Sequence, residues 1–218
     1  METVHDFGDR VVIVSHLVAQ VALSVLRDET TKPGRGGFAQ ASDQVALFLA
    51  AEVTRDTRTI GIEVKTPLGE ARGHRLDATV VLVPILRAGL ALQGPFWEFL
   101  PTARIHHIGI ARDENTAMPN RYYPDKPRRI DEDDDVILID PMLATGGSAC
   151  DALDEIKKYR PRSIRFANVI AAPEGIEQVL AAHPDVRIFT LAVDRCLDER
   201  KYIVPGLGDY GDRYFGTV

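Results

Sequence analysis

Cysteine is scarce: Cys150 and Cys196 are the only two in 218 residues. Two thiols cannot build a disulfide framework or a four-ligand zinc site, and with apolar neighbours both read as buried structural residues. Long hydrophobic runs are missing too. Stretches such as Val80 to Leu86 fall far short of the roughly eighteen residues that a membrane span needs. The opening METVHDFGDR lacks the basic-then-apolar order of a secretion signal, so a cytoplasmic protein with no membrane partner is expected. Basic residues are in the minority, with 26 Lys plus Arg against 32 Asp plus Glu and a formal charge of -6. That field repels nucleic acid, and no Lys/Arg tract offsets it. Any anionic ligand must therefore be held by local arginines and backbone amides. No internal repeat or low-complexity linker asks for a boundary, so residues 1–218 read as a single domain with one core.

What is present is concentrated in Val136 to Ser148, VILIDPMLATGGS. Four apolar residues between an acidic run and Asp140-Pro141 predict a short strand buried on both faces. Pro141 has no N–H with which to continue a central ladder, and Thr145-Gly146-Gly147-Ser148 supplies backbone that can bend tightly and approach a ligand. A helix should follow. Ala149, Ala152, Leu153 and Ile156 make one apolar stripe, with acids early and Lys157 and Lys158 late, the order that a helix dipole favours. Strand, small-residue loop and helix N-terminus together predict an anion cradle with the Asp140 carboxylate beside it. The usual nucleotide signatures are absent: there is no GxxxxGK[ST], and no GxGxxG follows a predicted strand.

From about Thr79 onward, short apolar runs alternate with helical stretches, which predicts an α/β fold with a central, mainly parallel sheet flanked by helices. The predicted strands are Thr79 to Pro84, Ile105 to Ala111, Val136 to Asp140, Ile164 to Ile170 and Val186 to Val193. Helices are predicted near Gly89 to Leu100, Gly147 to Tyr159 and Gly175 to Ala182, and in the N-terminal third over Val11 to Leu26 and Val45 to Val53. Ligands of such sheets bind beyond the carboxyl ends of the strands, which should gather Arg87, Arg112, Asp140 and Asp194 on one edge. Thr31 to Gly37, TKPGRGG, reads as a flexible loop. Asp131 to Asp135, DEDDD, reads as a solvated turn, since the spacing of a calcium loop is missing. His106 and His107, adjacent in one strand, would face opposite sides and pack rather than share a metal.

Three segments carry a resemblance to a known family. DPMLATGGS at Asp140 to Ser148, VPILRAG at Val83 to Gly89 and the C-terminal YIVPGLGDYGD at Tyr202 to Asp212 resemble the uracil phosphoribosyltransferases, a branch of the type I phosphoribosyltransferases. LRDETT at Leu26 to Thr31, EVTRDT at Glu52 to Thr57 and AAPEGI at Ala171 to Ile176 extend the likeness over nearly the whole chain. The resemblance implies an enzyme of pyrimidine salvage that makes UMP and diphosphate from uracil and phosphoribosyl diphosphate (PRPP). The wider superfamily has two adjacent acids and a Thr-Thr-Gly where this chain has Asp140-Pro141 and Ala144-Thr145-Gly146, so one carboxylate of the loop is left for the ribose hydroxyls.

By that resemblance, PRPP is expected to meet Arg87, Arg112, Asp140, Pro141, Met142, Leu143, Ala144, Thr145, Gly146, Gly147, Ser148 and Asp209. Arg87, with five donors in a planar fork, suits a diphosphate better than a lysine would. Uracil is expected against Val193, Gly208, Asp209 and Tyr210, where exposed backbone can read its acceptor–donor–acceptor edge. The catalytic set is Asp209, Arg112 and Asp140. Mg²⁺ is expected through PRPP and waters rather than on dedicated ligands, and the family forms dimers or tetramers. Activation by GTP, known in some relatives, is left open. The long irregular Asp113 to Arg129, with Pro119, Tyr122, Tyr123, Pro124 and Pro127, is expected to be a lid that shields the breaking anomeric bond from water. Two rival readings remain: an RNA-binding regulator on the same fold, which the acidic charge disfavours, and an enzyme for another base such as a purine.

Overall fold

The computed structural model describes residues 7–112, 119–123 and 130–217. In chain order the strands are β1 (Val11–Ile13), β2 (Thr59–Thr66), β3 (Gly69–Leu76), β4 (Val80–Leu86), β5 (Arg104–Ile105), β6 (Ile108–Arg112), β7 (Pro119–Tyr123) and β8 (Asp135–Ile139). They continue with β9 (Met142–Leu143), β10 (Ser163–Ala167), β11 (Ile170–Ala171), β12 (Arg187–Thr190), β13 (Ala192–Val193), β14 (Cys196–Leu197) and β15 (Ile203–Val204). The helices are α1 (Leu17–Arg27), α2 (Phe38–Val53), α3 (Leu90–Phe99), α4 (Gly147–Lys157), α5 (Pro173–Ala182) and α6 (Tyr210–Phe215).

The main sheet runs β1-β12-β10-β8-β4-β6-β7, with β5 also paired to β4. Every pairing is parallel except β6 with β7. Successive side chains of a strand point to opposite faces, and here both faces are covered. Val80, Leu82, Ile137 and Ile139 pack towards α1, α2 and α3, whereas Val81, Val83, Val136 and Leu138 pack towards α4 and α5. That is why β4 and β8 read as unbroken apolar runs. The chain leaves β4 for β6 on one side and later returns as β8 on the other. A crevice therefore opens between the ends of β4 and β8, where Arg87 and Asp140 follow.

The structure departs from the sequence expectations at several points. Val11 to Ile13 is an edge strand, not the start of a helix; α1 begins at Leu17, with His16 Nδ1 accepting from Val18 N–H at 3.2 Å. The expected strand over Ile105 to Ala111 is two strands, and His106 and His107 sit in the break. His106 is buried and His107 Nε2 lies 2.6 Å from Gln93 Oε1. The β2–β3 hairpin was not anticipated: Ile60, Ile62 and Val64 alternate along β2, but β3 is largely polar and both strands are mostly exposed. DEDDD is only partly solvated: Asp134 is buried against Arg104, and Asp135 against Arg162 and Ser163. Burial opposes ionisation of Asp135, but those two donors still hold its carboxyl below the usual range. Both cysteines are half-buried rather than fully enclosed. Among the described residues no helix is long and apolar enough to cross a membrane.

Candidate active site at the β4–β8 crevice

After β8, the loop from Asp140 turns the chain into α4. Gly146, in the left-handed region at φ 82°, caps that helix, a conformation that favours glycine. A side chain at Gly146 would also stand 2.9 Å from the Gly175 carbonyl oxygen. The backbone N–H groups of Thr145 to Ser148 thus lie at a helix N-terminus, where they and the dipole favour an anion. Asp140 and Met142 to Ala149 line a cavity of about 70 Å³. Two roomier hollows lie elsewhere: one of about 500 Å³ beside Phe7 and Arg10, and one of about 450 Å³ by Arg162 and Arg187. The arginines of the second are already paired with Asp135 and Asp56.

Asp140 follows the end of β8 with its carboxyl largely withdrawn from water. Desolvation pushes it up to about 7, and a hydrogen bond from Met142 N–H offsets part of that rise. Such a carboxyl ionises fully once partners that donate to it arrive. The Leu143 side chain is buried, and the Pro141 carbonyl accepts from Val169 and Ile170 N–H at 2.9 and 3.2 Å.

Arg87 stands on the other wall. A Cβ at Gly89 would come within 2.6 Å of the Ile139 carbonyl oxygen, so a glycine there lets the Arg87 turn press against the end of β8. Arg87 is 61% exposed, and its Nη2 donates to Asp212 Oδ1 at 3.1 Å. Asp209 N-caps α6 by accepting from Asp212 N–H at 2.8 Å. The Arg87 turn and the C-terminal segment therefore touch.

Val193 reaches the same rim through a short three-stranded sheet in which Leu143 and Val193 flank Ala171. The next residue, Asp194, is buried; it pairs with Arg27 at 2.5 and 2.8 Å and accepts from Gly206 N–H at 2.8 Å. Asp194 is thus a brace that ties Val193 to the segment carrying Gly208, rather than a carboxylate facing a ligand. Arg27 and Asp212 went unnoticed in the sequence, since their partners are far away along the chain. Arg213 was missed for the same reason; it clamps the segment by donating to Leu207 and Leu26 carbonyls at 2.7 and 2.6 Å.

Gly208 and Asp209 are exposed, with Gly208 at φ 79°. Tyr210 points the other way: its ring is 1% exposed, meets Phe38 edge-on and donates its hydroxyl to Ser42 at 2.8 Å. Burial pushes its phenol well up. Its side chain belongs to the core, which leaves only its backbone near the rim. A GxGxxG does occur, Gly206 to Gly211 after β15, against the expectation that no strand precedes one. It is no dinucleotide fingerprint, because β15 pairs antiparallel with β14 and α6 spans only six residues.

Arg112 closes β6, and its side chain lies outside the described residues. So do 113–118 and 124–129 of the expected lid. The part between them is regular, with β7 pairing back on β6 as a hairpin, where an irregular loop was expected.

The family model described as uracil phosphoribosyltransferase matches residues 12–217. A uracil phosphoribosyltransferase of Symbiobacterium thermophilum is 46% identical over 209 residues, 95% of this chain and 99% of its own length. One of Dictyoglomus turgidum is 45% identical over 208 residues, with the same 95% and 99%. The solved structure of the AQ2163 protein from Aquifex aeolicus superposes with a TM-score of 0.86 at 34% identity, covering 93% of this chain and 96% of that one. A purine phosphoribosyltransferase from Pyrococcus horikoshii Ot3 shares the fold alone, with a TM-score of 0.50 at 16% identity over 71% of this chain and 84% of its own. With its anion cradle, Arg87 turn and C-terminal segment brought to one crevice, and with this likeness along its length, the chain belongs to the uracil phosphoribosyltransferase family.

Proposed function

We propose that this chain, as one phosphoribosyltransferase domain over 1–218, transfers the phosphoribosyl group of PRPP to uracil, yielding UMP and diphosphate in pyrimidine salvage. The observation that carries the reading is the meeting of three distant segments at the β4–β8 crevice, sealed by the Arg87–Asp212 contact. In this reading the amides of Thr145 to Ser148 hold the 5-phosphate, with Met142 and Ala144 shaping the loop. Asp140 accepts from the ribose hydroxyls. Arg87 and Arg112 face the leaving diphosphate, and backbone groups of Val193, Gly208, Asp209 and Tyr210 read the edge of uracil.

As the ring nitrogen of uracil bonds to the anomeric carbon, the bond from that carbon to the diphosphate oxygen breaks. Its electron pair leaves with the diphosphate, and the ring proton is released. The protein's work is to align the two centres and to neutralise the leaving charge, rather than to supply a strong base. Among the described residues there is no cluster of three metal-ligating side chains. The exposed carboxylate of Asp209 fits Mg²⁺, which keeps several waters and takes one or two carboxylates plus substrate oxygens. When bound, Mg²⁺ would neutralise charge on the diphosphate.

Soluble cytoplasmic work as a homodimer or tetramer accompanies this reading. It is supported by the α1 face, where Leu17, Val18 and Val21 are 81, 55 and 65% exposed, and by a β2–β3 hairpin that packs on little else, a form marginal on its own. Incubation of the purified chain with Mg²⁺, PRPP and each nucleobase in turn, read by diphosphate release, tests the function. Uracil alone should be consumed; release with a purine instead would replace the reading with the other-base enzyme.

A further inference from the structure

Along β10, Ile164 and Phe166 face α4 and α5, as Val136 and Leu138 do on β8. The two strands run in register, Phe166 beside Leu138 and Ala167 beside Ile139. The ladder continues one step beyond, since Asp140 N–H donates to the Ala167 carbonyl at 3.2 Å. Asn168 therefore stands next to Asp140 on the same face of the sheet. On its other side, Ala167 pairs with Phe189 and Asn168 N–H donates to the Phe189 carbonyl at 2.9 Å, which brings Thr190 alongside. Directly afterwards Val169 and Ile170 both donate to the Pro141 carbonyl, a bulge that ends the row. Asp140, Asn168 and Thr190 thus form a polar row across three adjacent strands, beneath the cradle.

Two members of the row have hydrogen bonds. Thr190 Oγ1 lies 3.1 Å from the Ala192 carbonyl, and Asp140 accepts from Met142 N–H. Asn168 differs: it is 0% exposed, and neither Nδ2 nor Oδ1 has a partner among the described residues. A buried primary amide with both ends unpaired is costly, and an aliphatic residue of that size would fill the place more cheaply. The row also faces a chemical demand. A ribose diol donates two hydrogens, so the carboxylate that receives it must be ionised and fixed in plane. Among the described residues no cation pairs with Asp140, and a neutral donor is an addition that does not pull charge out of the cradle.

We propose that Asn168 is a positioning residue for the sugar: in the loaded site its Nδ2 donates to the Asp140 carboxylate and fixes that group's plane towards the two ribose hydroxyls. The inference rests on the reading that PRPP occupies the cradle. Asn168 touches no reacting atom and acts through Asp140.

The test is PRPP binding to the full chain in Mg²⁺, followed by calorimetry, together with separate KM values for PRPP and uracil and the melting temperature of the unliganded protein. Asn168→Leu keeps the branched outline of the side chain, with bulkier ends, and removes the amide. It should melt at or above the wild-type temperature yet bind PRPP about tenfold more weakly, with the KM for uracil unchanged. A residue that only packs would give the opposite pattern, with melting lowered and PRPP affinity intact, and that result overturns the proposal. Should Asn168→Leu not fold, Asn168→Ser and Asn168→Ala are matched in size and differ by one hydroxyl donor. The serine variant is expected to hold PRPP more tightly, and equal affinities overturn the inference. Failure of the wild type itself to bind PRPP would overturn the functional reading beneath it. Wild-type binding that Asn168→Leu fully retains overturns the inference alone.

Discussion

Arg87 and Asp212 are 125 positions apart in the chain, yet Arg87 Nη2 donates to Asp212 Oδ1 at 3.1 Å. With 61 and 35% of their side chains exposed, the pair adds little to stability, on the order of 0–1 kcal/mol. The same exposure leaves the guanidinium free to exchange a carboxylate for a diphosphate. Arg87→Lys is expected to leave the melting temperature nearly unchanged while raising the KM for PRPP about tenfold, because an ammonium cannot make the bidentate contact. Thermal melts beside steady-state kinetics check it; parallel losses of stability and activity would show that the arginine is mainly structural.

Asp209 has two tasks that one substitution separates. Its carboxylate caps α6 through Asp212 N–H, and asparagine caps a helix about as well. Asp209→Asn should therefore fold normally and still bind PRPP but turn over slowly, by roughly 10²-fold or more if its charge acts at the reacting centre. Unchanged turnover would remove Asp209 from the mechanism.

The raised carboxyl of Asp140 makes a signed prediction for the unliganded chain. Its folded value of about 7 exceeds the ordinary carboxylate value of 3.8, so the neutral form is the one favoured by the fold. The stability linked to this proton is full below about 4 and is lost as pH rises through 7. Asp140→Asn, neutral at every pH, should accordingly stabilise the chain at pH 8 by something on the order of 2 kcal/mol, discounted because part of the group faces the open cradle. The gain should shrink at pH 5 and vanish below 4, while PRPP binding falls at all pH values. Urea melts across that range would contradict it if the gain grew towards acid.

Tyr210 tests the assignment of the C-terminal segment from the opposite direction. The ring is enclosed and its hydroxyl serves Ser42, itself 0% exposed. Tyr210→Phe should cost about 1–2 kcal/mol by leaving the Ser42 hydroxyl unpaired, with the KM for uracil within twofold of wild type. A large change in that KM at constant stability would mean that the side chain reaches the base after all.

The sequence made local chemistry readable and long-range packing opaque. Asp140 to Ser148 announced itself because strand, proline, glycines and helix stripe are contiguous, and Arg87 because it follows a strand buried on both faces. The Arg27–Asp194 brace joins residues 167 apart, and no periodicity records such a pair. Tyr210 looked like a rim residue since its glycine-rich neighbours are exposed; only the packing of Phe38 beside it shows otherwise. The β2–β3 hairpin escaped because the alternation of Ile60, Ile62 and Val64 is short and faces a largely polar β3 with no apolar alternation of its own. The unpaired amide of Asn168 was equally silent, sitting in what reads as an ordinary buried strand.

Gly175 is the residue whose role least resembles its appearance. It lies inside α5 as part of AAPEGI, where a glycine weakens a helix by about 1 kcal/mol relative to alanine, so on propensity alone Gly175→Ala should stabilise. The structure reverses that sign. A Cβ there would overlap the Ala144 carbonyl oxygen and come within 3.0 Å of the Leu143 carbonyl oxygen, both backbone atoms of the cradle that cannot swing aside as a side chain would. The Gly175 carbonyl in turn presses on Gly146, the residue that caps α4. Glycine thus lets α5 act as the back wall of the phosphate loop. Gly175→Ala must either part α5 from the loop or shift the Thr145 to Ser148 amides, and a displacement near 1 Å costs about 10²-fold in a preorganised site. The expected result is a folded protein with lowered melting temperature, PRPP affinity reduced at least tenfold and uracil recognition little altered. A variant that melts higher and binds PRPP normally would show that the cradle is not buttressed from behind.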